Sequence, residues 1–212
     1  MRLTNPLDDV FASRSYVRVL RALDELPVGL PASARELARR SGLTHPTTSA
    51  VLASLATQGI VVARRALRAD AFELNRRHAL TDRLRSLFEW ERHLQEELVD
   101  FLRREIERRA PWISAAYLFG SSARAEMTRR SDVDLAVVIP NPAQRSETEV
   151  ALERVAAATR ERFGNRLGVT IGVSSINSLR RKGRPGHRLW AQIVEEGIAV
   201  LDREKSTGRS HA

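Results

Sequence analysis

Two aspartates separated by one residue are the most chemically suggestive feature of the sequence. Asp132 and Asp134 stand at the start of an almost wholly apolar run, Val133–Ile139, which predicts a buried β-strand. Residues i and i+2 of a strand point to the same face, so we expect both carboxylates on one side of a sheet. Such a pair is a hard-oxygen site of the kind that Mg²⁺ prefers, with waters and phosphates completing its shell.

A Gly-Ser turn precedes these aspartates. Gly120 follows another apolar strand candidate, Trp112–Phe119, and ten residues separate Ser121 from Asp132. Glycine lets the backbone approach a phosphate closely, and serine offers a hydroxyl and an N–H at the start of a helical turn, where anions are favoured. Alone, Gly-Ser is typical of an ordinary turn and Asp-x-Asp of a solvated strand end. Together, between two apolar strands, they predict a nucleotide–metal site, present or ancestral.

This stretch resembles the nucleotidyltransferase superfamily of DNA polymerase β in its minimal form, which carries Gly-Ser, ten residues and Asp-x-Asp. Members often read Gly-Ser-x-x-Arg-Gly-Glu after the first strand. This chain keeps Arg124 and Glu126 but has Ala125 in place of the glycine. The resemblance covers about residues 112–202.

The resemblance implies that Asp132 and Asp134 are catalytic and hold one or two Mg²⁺ ions, which place an NTP for in-line attack on its α-phosphate with pyrophosphate leaving. We therefore expect transfer of NMP, in the simplest case AMP from ATP, to a hydroxyl of a protein, an RNA or a small molecule. The implied nucleotide-binding residues are Gly120, Ser121, Ser122 and Arg124.

One departure from the family leaves turnover open. Active members usually bring a third carboxylate from a later strand, which helps to hold the catalytic metal and activates the acceptor hydroxyl. The matching strand here, Leu167–Val173, contains no Asp or Glu, and Thr170 is its only polar residue. Glu126 could assist. The alternative function is a DNA-binding transcriptional regulator whose degenerate nucleotidyltransferase domain binds nucleotide without turnover.

The first 78 residues predict three helices followed by a β-hairpin, the order of a winged helix-turn-helix. Ser33 and Glu36 form a capping box at the second helix, and Gly42 suits its end. The layout resembles MarR- and ArsR-type regulators, whose third helix enters the major groove while the wing touches the backbone. A winged helix used only for protein contacts is the alternative. Candidate contacts to double-stranded DNA are Thr44, His45, Thr47, Thr48 and Ser49 on the third helix and Arg64, Arg65 and Arg68 in the wing.

We therefore predict an α+β protein. Apolar residues at helical spacing from Leu80 to Ile106 predict a long helix, whose stripe would pack on either domain or on a second chain. A homodimer would let two winged helices span a palindromic site. The predicted segments are a winged helix-turn-helix domain (1–78), a linker or dimerisation helix (79–111), a nucleotidyltransferase-like α/β domain with a mixed sheet (112–202) and a disordered tail (203–212).

The chain is basic, with 35 Lys and Arg against 26 Asp and Glu and a net charge of +9 over 212 residues. The excess lies before and after the predicted linker, so the first block would meet the duplex backbone and the second a triphosphate. Glu195 and Glu196 are interpreted as a solvated helix face. The run Arg180–Arg188 is interpreted as a flexible loop, which, if functional, would face an acidic acceptor or the triphosphate.

Missing features exclude several classes of protein. The absence of cysteine excludes disulfide scaffolds, thiolate zinc sites and cysteine nucleophiles. No apolar run approaches the roughly 20 residues of a membrane span, and the N-terminus lacks the apolar core of a signal peptide. We expect a cytoplasmic, antitoxin-like protein for which a partner toxin is one candidate acceptor.

Overall fold

The computed structural model describes residues 13–65, 70–120 and 132–206, which fall into two compact units that divide after His93. The first unit consists of helices and a small sheet, and the second contains a mixed four-stranded sheet with helices, so the predicted α+β class is confirmed. Among the described residues, none of the helices combines the length and the apolar character that a membrane span requires.

The first unit has the winged helix-turn-helix order that the sequence predicts. A two-residue strand, β1, joins the wing to give an antiparallel sheet of order β1-β3-β2, and it was not predicted because two residues carry no periodicity. The elements are α1 (Arg14–Asp24), β1 (Ala32–Ser33), α2 (Ala34–Ser41), α3 (His45–Thr57), β2 (Val61–Arg65) and β3 (Asp70–Leu74).

The predicted capping box at α2 is half formed. The Ser33 hydroxyl accepts a hydrogen bond from the backbone N–H of Glu36 at 3.2 Å, which satisfies one free N–H of the first turn. The Glu36 carboxylate instead accepts from Arg39 and Arg40, each at 2.7 Å. Gly42 ends the helix with a φ of +64°, a left-handed conformation that glycine adopts without the Cβ penalty.

A buried ion pair holds the beginning of the long helix α4 (Thr81–Arg109) in the first unit. Arg21 of α1 donates to the Glu91 carboxylate through Nε at 2.6 Å and through Nη2 at 3.1 Å. The two side chains are only 13% and 4% exposed, and the guanidinium also lies 5.8 Å from the centre of the Phe88 ring. A charge pair this deeply buried depends on both partners.

The second unit is built on a sheet of order β6-β5-β4-β7, in which β5 and β6 are parallel and the other pairs are antiparallel. The first residues of the predicted disordered tail form a helical turn, and residues 207–212 lie outside the described part. The elements after α4 are β4 (Ala115–Phe119), β5 (Val133–Ile139), α5 (Arg145–Phe163), β6 (Leu167–Val173), α6 (Ile176–Leu179), α7 (His187–Glu196), β7 (Ile198–Asp202) and α8 (Arg203–Ser206).

Both faces of this sheet are covered, which explains why β5 is apolar along its length. Leu135 and Val137 face the core that contains α5 and the second half of α4. Ala136 faces the opposite core, where Trp190 of α7 packs on the sheet. Trp190 needs the absence of a side chain at Gly172 of β6, because a Cβ atom there would lie 2.4 Å from the indole ring.

The Arg21–Glu91 pair gives a test of the first unit. We expect Glu91→Gln to lower the free energy of unfolding by about 3 kcal/mol, because it removes the negative charge to which the buried Arg21 guanidinium is bound. Urea unfolding followed by circular dichroism measures this change. Glu149→Gln, which removes an exposed i,i+4 pair with Arg145, is the matched control and should cost less than about 1 kcal/mol. Equal effects of the two substitutions would contradict a stabilising role for burial of the pair.

Candidate functional site

The two aspartates lie where three strands of the second unit meet at one end of the sheet. Asp132 directly precedes β5, and Asp134 is the second residue of that strand. Asp134 is opposite Phe119 of β4 in the antiparallel pairing and opposite Gly168 of β6 in the parallel one. Because side chains alternate along a strand, Asp134 shares the face of Ala136.

Two glycines flank the Asp134 carboxylate. A Cβ atom at Gly120, which has a φ of +68°, would lie 2.7 Å from Oδ2 of Asp134. A Cβ atom at Gly168 would lie 3.1 Å from Oδ1. Gly168 was not among the predicted site residues, although a glycine inside a strand is a signal of close approach by another group.

The electrostatics of this position favour a bound cation. Burial raises the pKa of Asp134, and the nearby charge of Asp132 raises it further. A divalent cation would relieve both effects, and two carboxylates are the donor set that Mg²⁺ accepts together with waters and phosphates. Within the described ranges, no group of three His, Asp or Glu side chains is placed to hold a metal ion.

The strand that should carry a third carboxylate has little room for one on this face. The β6 residues that share the face of Asp134 are Gly168, Thr170 and Gly172. A side chain at Gly168 would press on Asp134, and one at Gly172 would overlap Trp190. Thr170 therefore occupies the position at which this chain lacks the third carboxylate of the family.

A cleft of about 250 Å³ opens beside Gly120. One side is apolar, formed by Phe119, Leu189 and Ile193. Its polar part is a pair on α7, in which Nε2 of Gln192 donates to Oε2 of Glu196 at 3.0 Å. Glu196 is exposed, as predicted for a solvated face, but it also lines this cleft, which its sequence distance from Asp134 concealed.

Several predicted residues cannot be placed relative to the site. Ser121, Ser122 and Arg124, together with Glu126, lie outside the described residues. The run Arg180–Arg188 begins after α6 and extends into the first turn of α7. Arg180 lies near Tyr117 of β4, whereas Arg188 directly precedes Leu189, which lines the cleft beside Gly120.

The start of α3 presents most of the side chains that were predicted to contact DNA. Thr44, His45 and Thr47 are exposed, and Ser49 is half-buried. Thr44 caps the helix, because its hydroxyl accepts from the backbone N–H of Thr47 at 3.4 Å. Thr48 is the exception and corrects the prediction: its side chain is buried, and its hydroxyl donates to the Thr44 carbonyl at 3.0 Å.

Two of the predicted wing arginines differ in their contacts. Arg64 binds the Glu73 carboxylate through Nε at 2.6 Å, whereas Arg65 is exposed at the end of β2. Arg68 lies outside the described residues. A cleft of about 550 Å³ lies between the wing and the helices. It was not predicted, because it joins three separate segments of the sequence. Its lining residues are Ser33, Ala34, Arg35, His45, Ser49, Asp70 and Phe72.

Comparison with known families identifies two segments of the chain. Residues 99–196 match the nucleotidyltransferase domain family, and residues 13–70 match the MarR family. The chain therefore combines a MarR-family segment with a nucleotidyltransferase domain, which confirms the predicted fusion. No curated protein matches the sequence. A solved crystal structure of a toxin-antitoxin with AMP-PNP is similar at 16% identity and a TM-score of 0.38, over 52% of this chain and 77% of that one.

The contact between Gly120 and Asp134 can be tested by a double-mutant cycle. Gly120→Ala should destabilise the protein by about 1–2 kcal/mol for its left-handed backbone and by a further amount for displacing the carboxylate. Gly183→Ala is the matched control, because Gly183 has a φ of +91° and nothing within 4 Å of its Cβ position. Urea unfolding of each variant, alone and combined with Asp134→Ala, measures these changes in the free energy of unfolding. The excess cost of Gly120→Ala should disappear in the Asp134→Ala background, and its persistence would contradict the contact.

Proposed function

We propose that this protein is a Mg²⁺-dependent nucleotidyltransferase that moves NMP from an NTP to a hydroxyl and that also binds duplex DNA. The Asp132–Asp134 pair beside Gly120 is the observation that carries the enzymatic part of the proposal. In the reaction an acceptor oxygen forms a bond to the α-phosphorus, the bond from that phosphorus to the bridging oxygen breaks, and pyrophosphate leaves with the electron pair. Mg²⁺ held by the two aspartates would supply charge neutralisation of the triphosphate.

The neighbouring cleft supports a nucleotide as the donor. Its volume of about 250 Å³ suits a compact group such as a nucleoside. The carboxylate of Glu196 repels phosphate, so the cleft favours the neutral part of the molecule, while Phe119 and Leu189 offer apolar contact to a planar base. The phosphates then extend toward Gly120 and the carboxylate pair.

A second candidate function is a DNA-binding regulator whose nucleotidyltransferase domain binds nucleotide without turnover. The specific observation that favours it is the β6 face, where glycines and Thr170 replace the carboxylate that activates the acceptor in active members. The antitoxin-like hypothesis belongs to the first candidate, and its acceptor would be a hydroxyl of a partner toxin.

The carboxylate pair gives the decisive test of turnover. Asp132→Ala and Asp134→Ala should lower Mg²⁺-dependent pyrophosphate release by at least about 100-fold, the scale of losing one electrostatic element of a transition state. The assay uses α-labelled NTPs with RNA and with the product of the adjacent gene as acceptors. Glu195→Ala, an exposed acid on α7, is the matched control and should keep the full rate.

The outcomes of that assay separate the two candidates. NTP binding by calorimetry that depends on Asp134, without pyrophosphate release from any acceptor, would favour the regulator. Release that is unchanged in both aspartate variants would contradict the proposed site, since no other described cluster offers paired carboxylates on one strand.

The first unit supports the DNA-binding part of the proposal. Exposed hydroxyl and imidazole groups lie at the start of α3, and Arg65 lies on the wing, where a winged helix touches the phosphate backbone. Arg64 is already neutralised by Glu73, so it has less charge to offer a phosphate. Two such units in a homodimer would address a palindromic site.

The two wing arginines give a graded prediction. Arg65→Ala should weaken binding to duplex DNA and reduce the slope of log K against log salt by about 1, whereas Arg64→Ala should have a smaller effect because its guanidinium is held by Glu73. Fluorescence anisotropy across a salt series measures both. Arg154→Ala, an exposed arginine of α5 in the second unit, is the control. A salt slope that responds equally to all three substitutions would contradict a wing contact.

A further inference from the structure

The strand β6 lies at an edge of the sheet in the second unit. Its hydrogen bonds to β5 identify which of its backbone N–H and C=O groups point away from the sheet. The Arg166 carbonyl accepts from Val133 N at 2.9 Å, and Ser174 N donates to the Ile139 carbonyl at 3.0 Å. Backbone groups alternate in direction along a strand, so the even-numbered residues of β6 bond to β5. The odd-numbered ones, from Leu167 to Val173, point outward, and no described strand pairs with them.

This edge lacks the usual protection against pairing. Natural edge strands carry charges, prolines or bulges, or are very short. The seven residues of β6 include no charge and no proline, and the pairing with β5 runs without a register shift. The opposite edge, β7, is different, because it ends in Asp202 and its pairing with β4 is irregular between Ala116 and Tyr117.

The sequence of β6, Leu-Gly-Val-Thr-Ile-Gly-Val, is complementary to itself in the antiparallel direction. A two-fold axis at Thr170 places Thr170 opposite itself, Val169 opposite Ile171 and Gly168 opposite Gly172. Every pair then joins residues of the same kind. The odd-numbered residues, whose N–H and C=O groups point outward, fall at the hydrogen-bonded positions of such a ladder, and Thr170 falls at a non-hydrogen-bonded one.

A groove of about 330 Å³ runs along the same edge, between α5 and β6. Its β6 side is apolar, formed by Leu167, Val169 and Ile171, whereas its α5 side also carries the charged residues Arg145, Glu149 and Glu153. Val169 is 38% exposed, which is unusual for a valine in a central part of a strand. In the antiparallel arrangement, Ile171 of a second copy would lie beside Val169 on this face and cover it.

We propose that β6 is a homodimer interface, in which two copies of this chain pair β6 to β6 in antiparallel orientation and join their sheets into one. The arrangement is isologous, as a two-fold dimer requires, because each strand meets the same surface of its partner. It does not depend on the proposed chemistry. It does reach the candidate site, since Gly168 of the interface strand lies against the Asp134 carboxylate.

A cysteine at the two-fold axis tests the register directly. Thr170→Cys should give a covalent dimer on mild oxidation, because non-hydrogen-bonded partners in an antiparallel ladder have Cα atoms about 4.5 Å apart, within the range of a disulfide. The wild-type chain contains no cysteine, so the new bond has one source. Val150→Cys, at an exposed valine of α5, is the control and should remain uncross-linked at the same protein concentration.

A second variant tests the interface without cross-linking. Val169→Lys places a charge on the edge and should reduce the mass in sedimentation equilibrium from dimer to monomer, whereas Val150→Lys should leave the dimer intact. A wild-type protein that is monomeric at all concentrations would overturn the proposal. So would a dimer that survives Val169→Lys and fails to cross-link through Thr170→Cys, because its interface would then lie on another surface, such as the stripe of α4.

Discussion

The close approach of two backbone segments to the Asp134 carboxylate is the constraint on which the second unit depends. One segment passes on each side, with Gly120 after β4 and Gly168 on β6. A side chain at either position would move the carboxylate. The register of the three strands, the left-handed turn at Gly120 and the position of the Asp134 side chain therefore depend on one another. The apolar cores on both faces of β5 supply the energy that holds an acid with a raised pKa in this place.

The regular elements around this site could be predicted because their patterns are local. The apolar run of β5, the periodicity of α5 and the stop at Gly164 give bounds that the structure reproduces. The two-residue β1 and the four-residue α6 could not be predicted, since neither spans one period of its pattern. The approach of Glu196 to Gly120 could not be predicted either, because it depends on how β7 pairs with β4.

The positions of the arginines show which positive charges are already paired within the protein. Arg21 is neutralised inside the first unit, and Arg64 is neutralised on the wing, which leaves Arg65 as the described wing cation with an exposed charge. In the second unit, Arg188 in the first turn of α7 directly precedes Leu189, which lines the cleft beside Gly120. The proposal that the second block of positive charge meets a triphosphate therefore stays a prediction.

The lack of a third carboxylate follows from packing as much as from sequence. On the β6 face that carries Thr170, the position before it is closed by Asp134 and the position after it by Trp190. An acid at Thr170 would stand opposite Ala136, deeper in the sheet than Asp134. A group that accepts the proton of an acceptor hydroxyl must then come from outside β6: from Glu196 across the cleft, from the segment between β4 and β5, or from the acceptor itself. The proposed transfer therefore requires a proton acceptor that β6 does not supply.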